Sequence, residues 1–186
     1  VNISSKQDMI MENPPKSVKD FMIPLEDYPH IPQWFTLRQA IAIVREAAIK
    51  FEGSFEPRAV LVFDEKYRLR GILTLLDLVK ALQPEMSAPA GLKTPGAGPQ
   101  DLLFDFFGPD LENQLQRPVS DVMSPIRVTV NSNDPLALAL HLMIKENLVR
   151  IPVLEGERVA GMIRLGDLFN EIAQAILVRS SFPDRE

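Results

Sequence analysis

The octapeptide GILTLLDL (Gly71–Leu78) returns ninety positions later as GMIRLGDL (Gly161–Leu168). The glycine and the aspartate keep their spacing, and six of the eight positions match or stay apolar. Two change character: Thr74 becomes Arg164, and Leu76 becomes Gly166. A phrase written twice points to a fold built twice, and the flanking sequence agrees. VKDFMIP (Val18–Pro24) answers VSDVMSP (Val119–Pro125), and each is followed by a segment of helical character, Thr36–Phe51 and Asp134–Leu148. In the first segment Leu37, Ala40, Ile41, Val44, Ala47, Ala48 and Phe51 share one helical face. In the second, Leu136, Leu138, Leu140 and Leu142 alternate as in a strand. Asp134 as N-cap, Pro135 as first helical residue and the Leu/Ala content favour a helix. That helix is apolar around most of its circumference, so it is expected to be buried on two sides, between the halves or at a subunit interface.

Paired short strands come next. Arg58–Asp64 and Arg68–Thr74 are joined by Glu65-Lys66-Tyr67, and Arg150–Glu155 and Arg158–Ile163 by Gly156-Glu157, a two-residue hairpin signal with glycine first. Each half closes with a helix, near Leu75–Leu82 and Leu165–Val178. Each half therefore reads strand-helix-strand-strand-helix. The predicted class is α+β: a small three-stranded sheet with two helices on one face, the long first helix making a right-handed crossover. A unit of about 60 residues buries a marginal core, and two such units packed pseudo-symmetrically, sheet face to sheet face, remedy that. Between the halves, Glu85–Gln100 is rich in Pro, Gly and Ala and reads as a linker. Asp101–Gln116 follows, in which Leu102, Leu103, Phe106 and Phe107 suggest a short amphipathic turn that docks on the protein's own core or on a partner.

The totals narrow the function. The chain has 186 residues, 46% of them hydrophobic, and a formal charge of −5. The acidic balance argues against nucleic-acid binding as the main task. No apolar run approaches the roughly 20 residues of a membrane span, and no signal peptide is evident. With no cysteine, thiol catalysis, thiolate metal sites and disulfides are absent, which suits a reducing cytoplasm. His30 and His141 lie far apart, and neither begins a metal-binding spacing. No phosphate loop or nucleophile elbow occurs. The chain is not expected to be an enzyme or to require a cofactor.

The doubled D-x-M opening (Asp20-Phe21-Met22, Asp121-Val122-Met123), the doubled hairpin, the doubled Gly-to-Asp ending, Pro152-Val153 and the SDVMSP of Ser120–Pro125 together resemble a tandem pair of cystathionine-β-synthase (CBS) domains, a Bateman module. The resemblance covers about residues 17–83 and 117–178, leaving 1–16 as an N-terminal extension, 84–116 as linker and 179–186 as a tail. Nothing flanking the pair looks like an attached enzyme or transporter domain, so the pair is expected to stand alone. The resemblance implies a regulatory module that binds an adenosine-containing ligand (AMP, ADP, ATP or S-adenosylmethionine) in clefts between the repeats, and it implies disc-like homodimers. It gives Asp77 and Asp167 a ribose contact and Thr74 a ribose or phosphate contact. The alternative is a ligand-free module that dimerises or docks an unidentified protein partner through its apolar helices.

The chemistry of the doubled phrase supports both readings. A helix N-terminus offers unpaired N–H groups to an anion, and a carboxylate there can accept both hydroxyls of a ribose. Thr-x-x-Asp is also a capping box that needs no ligand. Arg164 cannot cap as a threonine does: it either meets a phosphate or pairs with Asp167 and plugs the second site. The base would rest on Ile126–Val130, read as an alternating strand whose Val128 and Thr129 backbone faces an adenine edge, and in the first half on Leu25–Pro32, where Tyr28 and His30 are candidates for the lining. Arg150 and Arg158 are candidate phosphate contacts or solvated hairpin arginines.

Overall fold

The computed structural model describes residues 16–50, 59–82 and 110–180. The expected linker and the Leu102–Phe107 segment lie outside the described residues. Among these residues the elements run β1 (Ile23–Pro24), β2 (His30–Pro32), α1 (Leu37–Lys50), β3 (Ala59–Phe63), β4 (Leu69–Thr74), α2 (Leu75–Leu82), α3 (Leu111–Gln116), β5 (Ser124–Pro125), β6 (Val130–Asn131), α4 (Leu136–Glu146), β7 (Arg150–Glu155), β8 (Arg158–Arg164) and α5 (Leu165–Ser180). They form two units, one drawn from the described residues of 29–126 and the other from those of 16–28 and 127–180. We call these the first-repeat and second-repeat units.

Each unit carries a four-stranded mixed sheet, in the orders β2-β3-β4-β5 and β1-β8-β7-β6. Three strands of each sheet are those the sequence predicts: a parallel pair across a helical crossover (β2 with β3, β6 with β7) and an antiparallel hairpin (β3 with β4, β7 with β8). The fourth strand is the difference. β5, from the opening of the second repeat, pairs with β4 of the first-repeat unit, Ser124 opposite Ile72 and Pro125 opposite Gly71. β1, from the opening of the first repeat, pairs with β8, Ile23 opposite Met162 and Pro24 opposite Gly161. The openings are thus exchanged. A three-stranded sheet would leave the outer edge of β4 or β8 unpaired, a template for aggregation. A two-residue strand ending in proline covers that edge and offers little to extend.

The exchange explains the doubled glycine. A Cβ on Gly71 would lie 2.7 Å from Met123 Sδ and 2.8 Å from the Ser124 carbonyl oxygen. A Cβ on Gly161 would overlap the Ile23 carbonyl oxygen and lie 3.2 Å from Pro24 Cα. Only a residue without a side chain lets the exchanged backbone come so close.

The two cores correspond position by position. In the first-repeat unit Ile31, Ala40, Val44, Val60, Val62, Leu73 and Leu78 are buried together, and in the second-repeat unit Val130, Ala139, Met143, Ile151, Val153, Ile163 and Leu168. Val119 completes the first core and Val18 the second, so each core contains a residue of the exchanged opening. Val60 and Val62 point to one face of β3, and α1 and α2 cover that face through Leu37, Ala40, Val44, Leu78 and Ala81. All five residues of β3 are buried, which accounts for its unbroken apolar run.

Two sequence expectations need correction. Ile126–Val130 is not a five-residue strand: only Val130–Asn131 pairs with β7. In the first-repeat unit the Leu61 N–H reaches the Pro29 carbonyl at 3.1 Å and the Gln33 N–H reaches Phe63 at 2.8 Å. The second-repeat unit reproduces the later bond, Ser132 N–H to the Leu154 carbonyl at 2.8 Å. The counterpart of Leu61 is Pro152, which has no N–H to give to Val128, and the ladder stops there. Asp134 is not the N-cap of α4 either. Pro135 holds that position, while the Asp134 carboxylate accepts the Asn131 N–H at 2.8 Å.

The hairpin chemistry is as expected: Gly156 has φ +61°, the sign a type II′ turn needs at its first central residue. α4 buries Ala139 and Met143 but leaves Leu138, His141 and Ile144 exposed on this chain.

Candidate ligand site

The doubled phrase ends each sheet at a helix N-terminus. In the first-repeat unit β4 runs directly into α2, and Thr74 and Asp77 straddle the junction. The Thr74 hydroxyl and backbone N–H both donate to Asp77 Oδ2, at 2.6 and 2.8 Å, and the Asp77 N–H donates back to Thr74 Oγ1 at 3.2 Å. This is the reciprocal capping box, with the threonine cap contributing about 0.5–2 kcal/mol. The other carboxylate oxygen, Oδ1, accepts the Ser124 hydroxyl at 2.9 Å. Ser124 reaches it because β5 lies beside β4. Among the described residues, every partner of Asp77 is a hydroxyl or a backbone N–H, not a cation. Both hydroxyls can rotate, so the carboxylate can exchange them for the hydroxyls of a ligand.

In the second-repeat unit the same junction is built differently. Arg164 donates from Nε to Asp167 Oδ2 at 2.9 Å and from Nη2 to Asp167 Oδ1 at 2.7 Å. This bidentate ion pair is the pairing alternative of the sequence reading, and both side chains are a quarter exposed or less, 25% and 20%. Ile23, opposite Met162, stands where the first-repeat unit has Ser124. Arg150 stands opposite Arg164, where the first-repeat unit sets Ala59 opposite Thr74.

The other candidates scatter. Arg150 is buried, at 8% exposure, so it is not a solvated hairpin arginine, whereas Arg158 is exposed. Tyr28 is buried, with its N–H on the Leu25 carbonyl at 3.1 Å. His30 is engaged by a residue of the hairpin: its Nε2 lies 2.8 Å from the Tyr67 hydroxyl, and Tyr67 stacks on Phe63 with centroids 4.7 Å apart. Val128 is half-buried against the second core, and Thr129 is exposed. The structure therefore brings together Thr74 with Asp77 and, separately, Arg164 with Asp167, opposite Arg150. Ser124 is the residue sequence reasoning missed. Its signal was a serine in SDVMSP where the first copy, KDFMIP, has isoleucine.

Elsewhere the carboxylates serve the fold. Asp64 accepts the N–H groups of Lys66 and Arg68 and the Arg68 Nε at 2.8–3.0 Å. The Arg68 backbone N–H chiefly holds its carboxyl below the usual range, against the opposing effect of burial. Asp20 is likewise held low, first by the Ser17 backbone N–H and then by the Ser17 hydroxyl. Among the described residues no group of three or more His, Cys, Asp or Glu is placed to hold a metal, and no helix is long and apolar enough to cross a membrane.

Comparison with known proteins places this architecture. A search of curated sequences finds no match. Solved structures do. CBSX2, crystallised with AMP, aligns at TM-score 0.59 and 18% identity over 86% of this chain and 97% of its own. The cytosolic domain of the Mg2+ channel MgtE, crystallised with ATP, aligns at TM-score 0.57 and 20% identity over 89% of this chain, which spans only about half (52%) of that domain. An AcuB protein of Vibrio cholerae, described as a putative acetoin utilization protein, aligns at TM-score 0.57 and 18% identity over 91% of this chain and 98% of its own. At these identities the likeness is one of fold. The CBS domain sequence profile matches twice, at residues 18–84 and 119–174, together more than half of the chain. The chain belongs to the CBS domain family, as a tandem pair.

Proposed function

We propose that this CBS pair is a regulatory sensor and that it binds an adenosine-containing ligand (AMP, ADP, ATP or S-adenosylmethionine) at the β4–α2 junction of the first-repeat unit. One observation carries the reading. The Asp77 carboxylate stands at a helix N-terminus, held by two rotatable hydroxyls and one backbone N–H rather than by a cation. A ribose diol is the complementary partner: two donors for an ionised carboxylate, with the N–H groups of α2 and the Thr74 hydroxyl beside it for a phosphate. That CBSX2 and the MgtE domain were crystallised with AMP and ATP supports the ligand class. The ligand acts by favouring whichever packing or assembly binds it more tightly.

The chain acts as a homodimer in this proposal, with no catalytic step. Its support is apolar surface that the described residues leave exposed: Leu138 and Ile144 on α4, and Phe169, Ile172, Ile176 and Leu177 on α5. Such patches mark interaction surfaces. A ligand-free docking module is the second reading, favoured by the same surface and by a capping box complete without a ligand.

Thermal unfolding with AMP, ADP, ATP and S-adenosylmethionine separates the two. At 100 times its Kd a ligand stabilises by about 2.7 kcal/mol, a rise of roughly 5–10 °C for a chain of this size. The sensor reading expects that rise with at least one of the four, and its loss in Asp77→Asn. No rise with any of them leaves the docking module.

A further inference from the structure

We infer that Arg164 closes the second-repeat copy of the site to a nucleoside, so that each chain holds one adenosine, on Asp77. The inference rests on the function proposed above and adds its stoichiometry and the residue that sets it. The two junctions are equivalent in strand register, so their differences can be compared directly. Thr74, Ser124 and Ala59 of the first-repeat unit are replaced by Arg164, Ile23 and Arg150. The aspartate is retained.

Those three changes alter what the carboxylate can accept. Asp77 is satisfied by hydroxyls that can turn away and by a backbone N–H on one oxygen. A ligand diol can take the place of the hydroxyl bonds at no cost in charge. Asp167 has both oxygens in the planar fork of a guanidinium, at 2.9 and 2.7 Å, a bidentate pairing of opposite charges in a fixed geometry. A diol would have to displace that fork, and Ile23 offers no hydroxyl to assist. Arg150, buried at 8% exposure, also stands opposite Arg164 where the first-repeat unit has the small Ala59, so a displaced guanidinium finds less room there. The ion pair is three-quarters shielded from solvent, so water compensates little for breaking it.

Isothermal titration calorimetry with AMP, and with ATP in parallel, tests this on the wild-type chain, Asp77→Asn and Arg164→Thr. The expected stoichiometries are one nucleotide per chain for the wild type, none for Asp77→Asn (affinity down at least tenfold), and two for Arg164→Thr. Two per chain in the wild type, one retained by Asp77→Asn, or one in a folded Arg164→Thr overturns the inference while leaving nucleotide binding intact. If Arg164→Thr does not fold, the wild type and Asp77→Asn decide, because an open second site would still fill in both. Heat-silent titrations for every protein and both nucleotides, with no melting shift, remove the proposed function itself, a result distinct from any of these.

Discussion

Replacing Gly161 by alanine tests the exchanged strand. The added Cβ would overlap the Ile23 carbonyl oxygen and lie 3.0 Å from the Ile23 carbonyl carbon and 3.2 Å from Pro24 Cα. Non-bonded carbons rest about 3.5–4.0 Å apart and the carbonyl oxygen overlaps outright, so β1 must retreat by on the order of 1 Å. Every clashing atom is backbone, so no side chain can swing aside. A ladder hydrogen bond near 2.9 Å does not survive a shift of that size, and β1 holds only two residues in register with β8, Ile23 and Pro24. Val18, fully buried in the second core, lies on the same segment. Overpacking costs about 1–3 kcal/mol where side chains can adjust. With rigid backbone on the receiving side, about 3 kcal/mol is expected, and a fall in Tm of roughly 6–12 °C. Differential scanning calorimetry measures it. A Gly161→Ala protein that melts within 2 °C of the wild type would mean that β1 does not sit on β8, and the exchange would be wrong.

Two other glycines calibrate that result. Gly71→Ala meets a flexible sulfur and one carbonyl oxygen. It is expected to cost about 2 kcal/mol and, by moving Ser124, to weaken AMP binding; unchanged AMP affinity would count against Ser124 as part of the site. Gly156→Ala has open space around its new Cβ but keeps φ +61°, so it should cost about 1–2 kcal/mol from backbone strain and leave AMP affinity unchanged. For Asp64, whose carboxyl is held low mainly by the Arg68 N–H, the ionised form is favoured by folding. Its contribution to stability is complete above about pH 5, where the group is ionised in both states, and disappears as pH falls through the lowered folded value. Asp64→Asn should therefore melt lower than the wild type at pH 7, with the gap closing in strong acid. A gap that stays constant down to pH 2.5 would contradict the assignment.

The parts of the fold that rest on nearby residues were legible. α2 begins at Leu75 as expected, because the periodicity that marks it acts locally. The Gly156-Glu157 turn follows from one glycine. The exchange of openings was not legible, because the Val18–Pro24 and Val119–Pro125 segments are nearly interchangeable and either would satisfy either sheet's pattern. Its trace in the sequence is a glycine inside each receiving strand, Gly71 and Gly161, a residue that weakens a strand unless another backbone must approach. The strand at Ile126–Val130 was misread because alternation is a property of that segment alone, whereas the missing donor, Pro152, lies more than twenty residues further on.

The site divides in the same way. Thr74 and Asp77, three residues apart, form the capping box their spacing allows. Arg164 stands three residues before Asp167 at the start of α5, close enough for the ion pair the structure holds. Ser124 depends on the exchange, so nothing local marks it as a partner of Asp77. His30 meets the Tyr67 hydroxyl of the hairpin, a contact between residues thirty-seven apart.

The most direct test of the central claim is a crystal structure of the chain grown with AMP, whose adenosine and phosphate are common to AMP, ADP and ATP. The account expects ribose hydroxyls within hydrogen-bond distance of the Asp77 carboxylate, and the Arg164–Asp167 pair intact with no nucleoside on it. AMP bound away from Asp77, or a ribose on Asp167 with the pair broken, would contradict it.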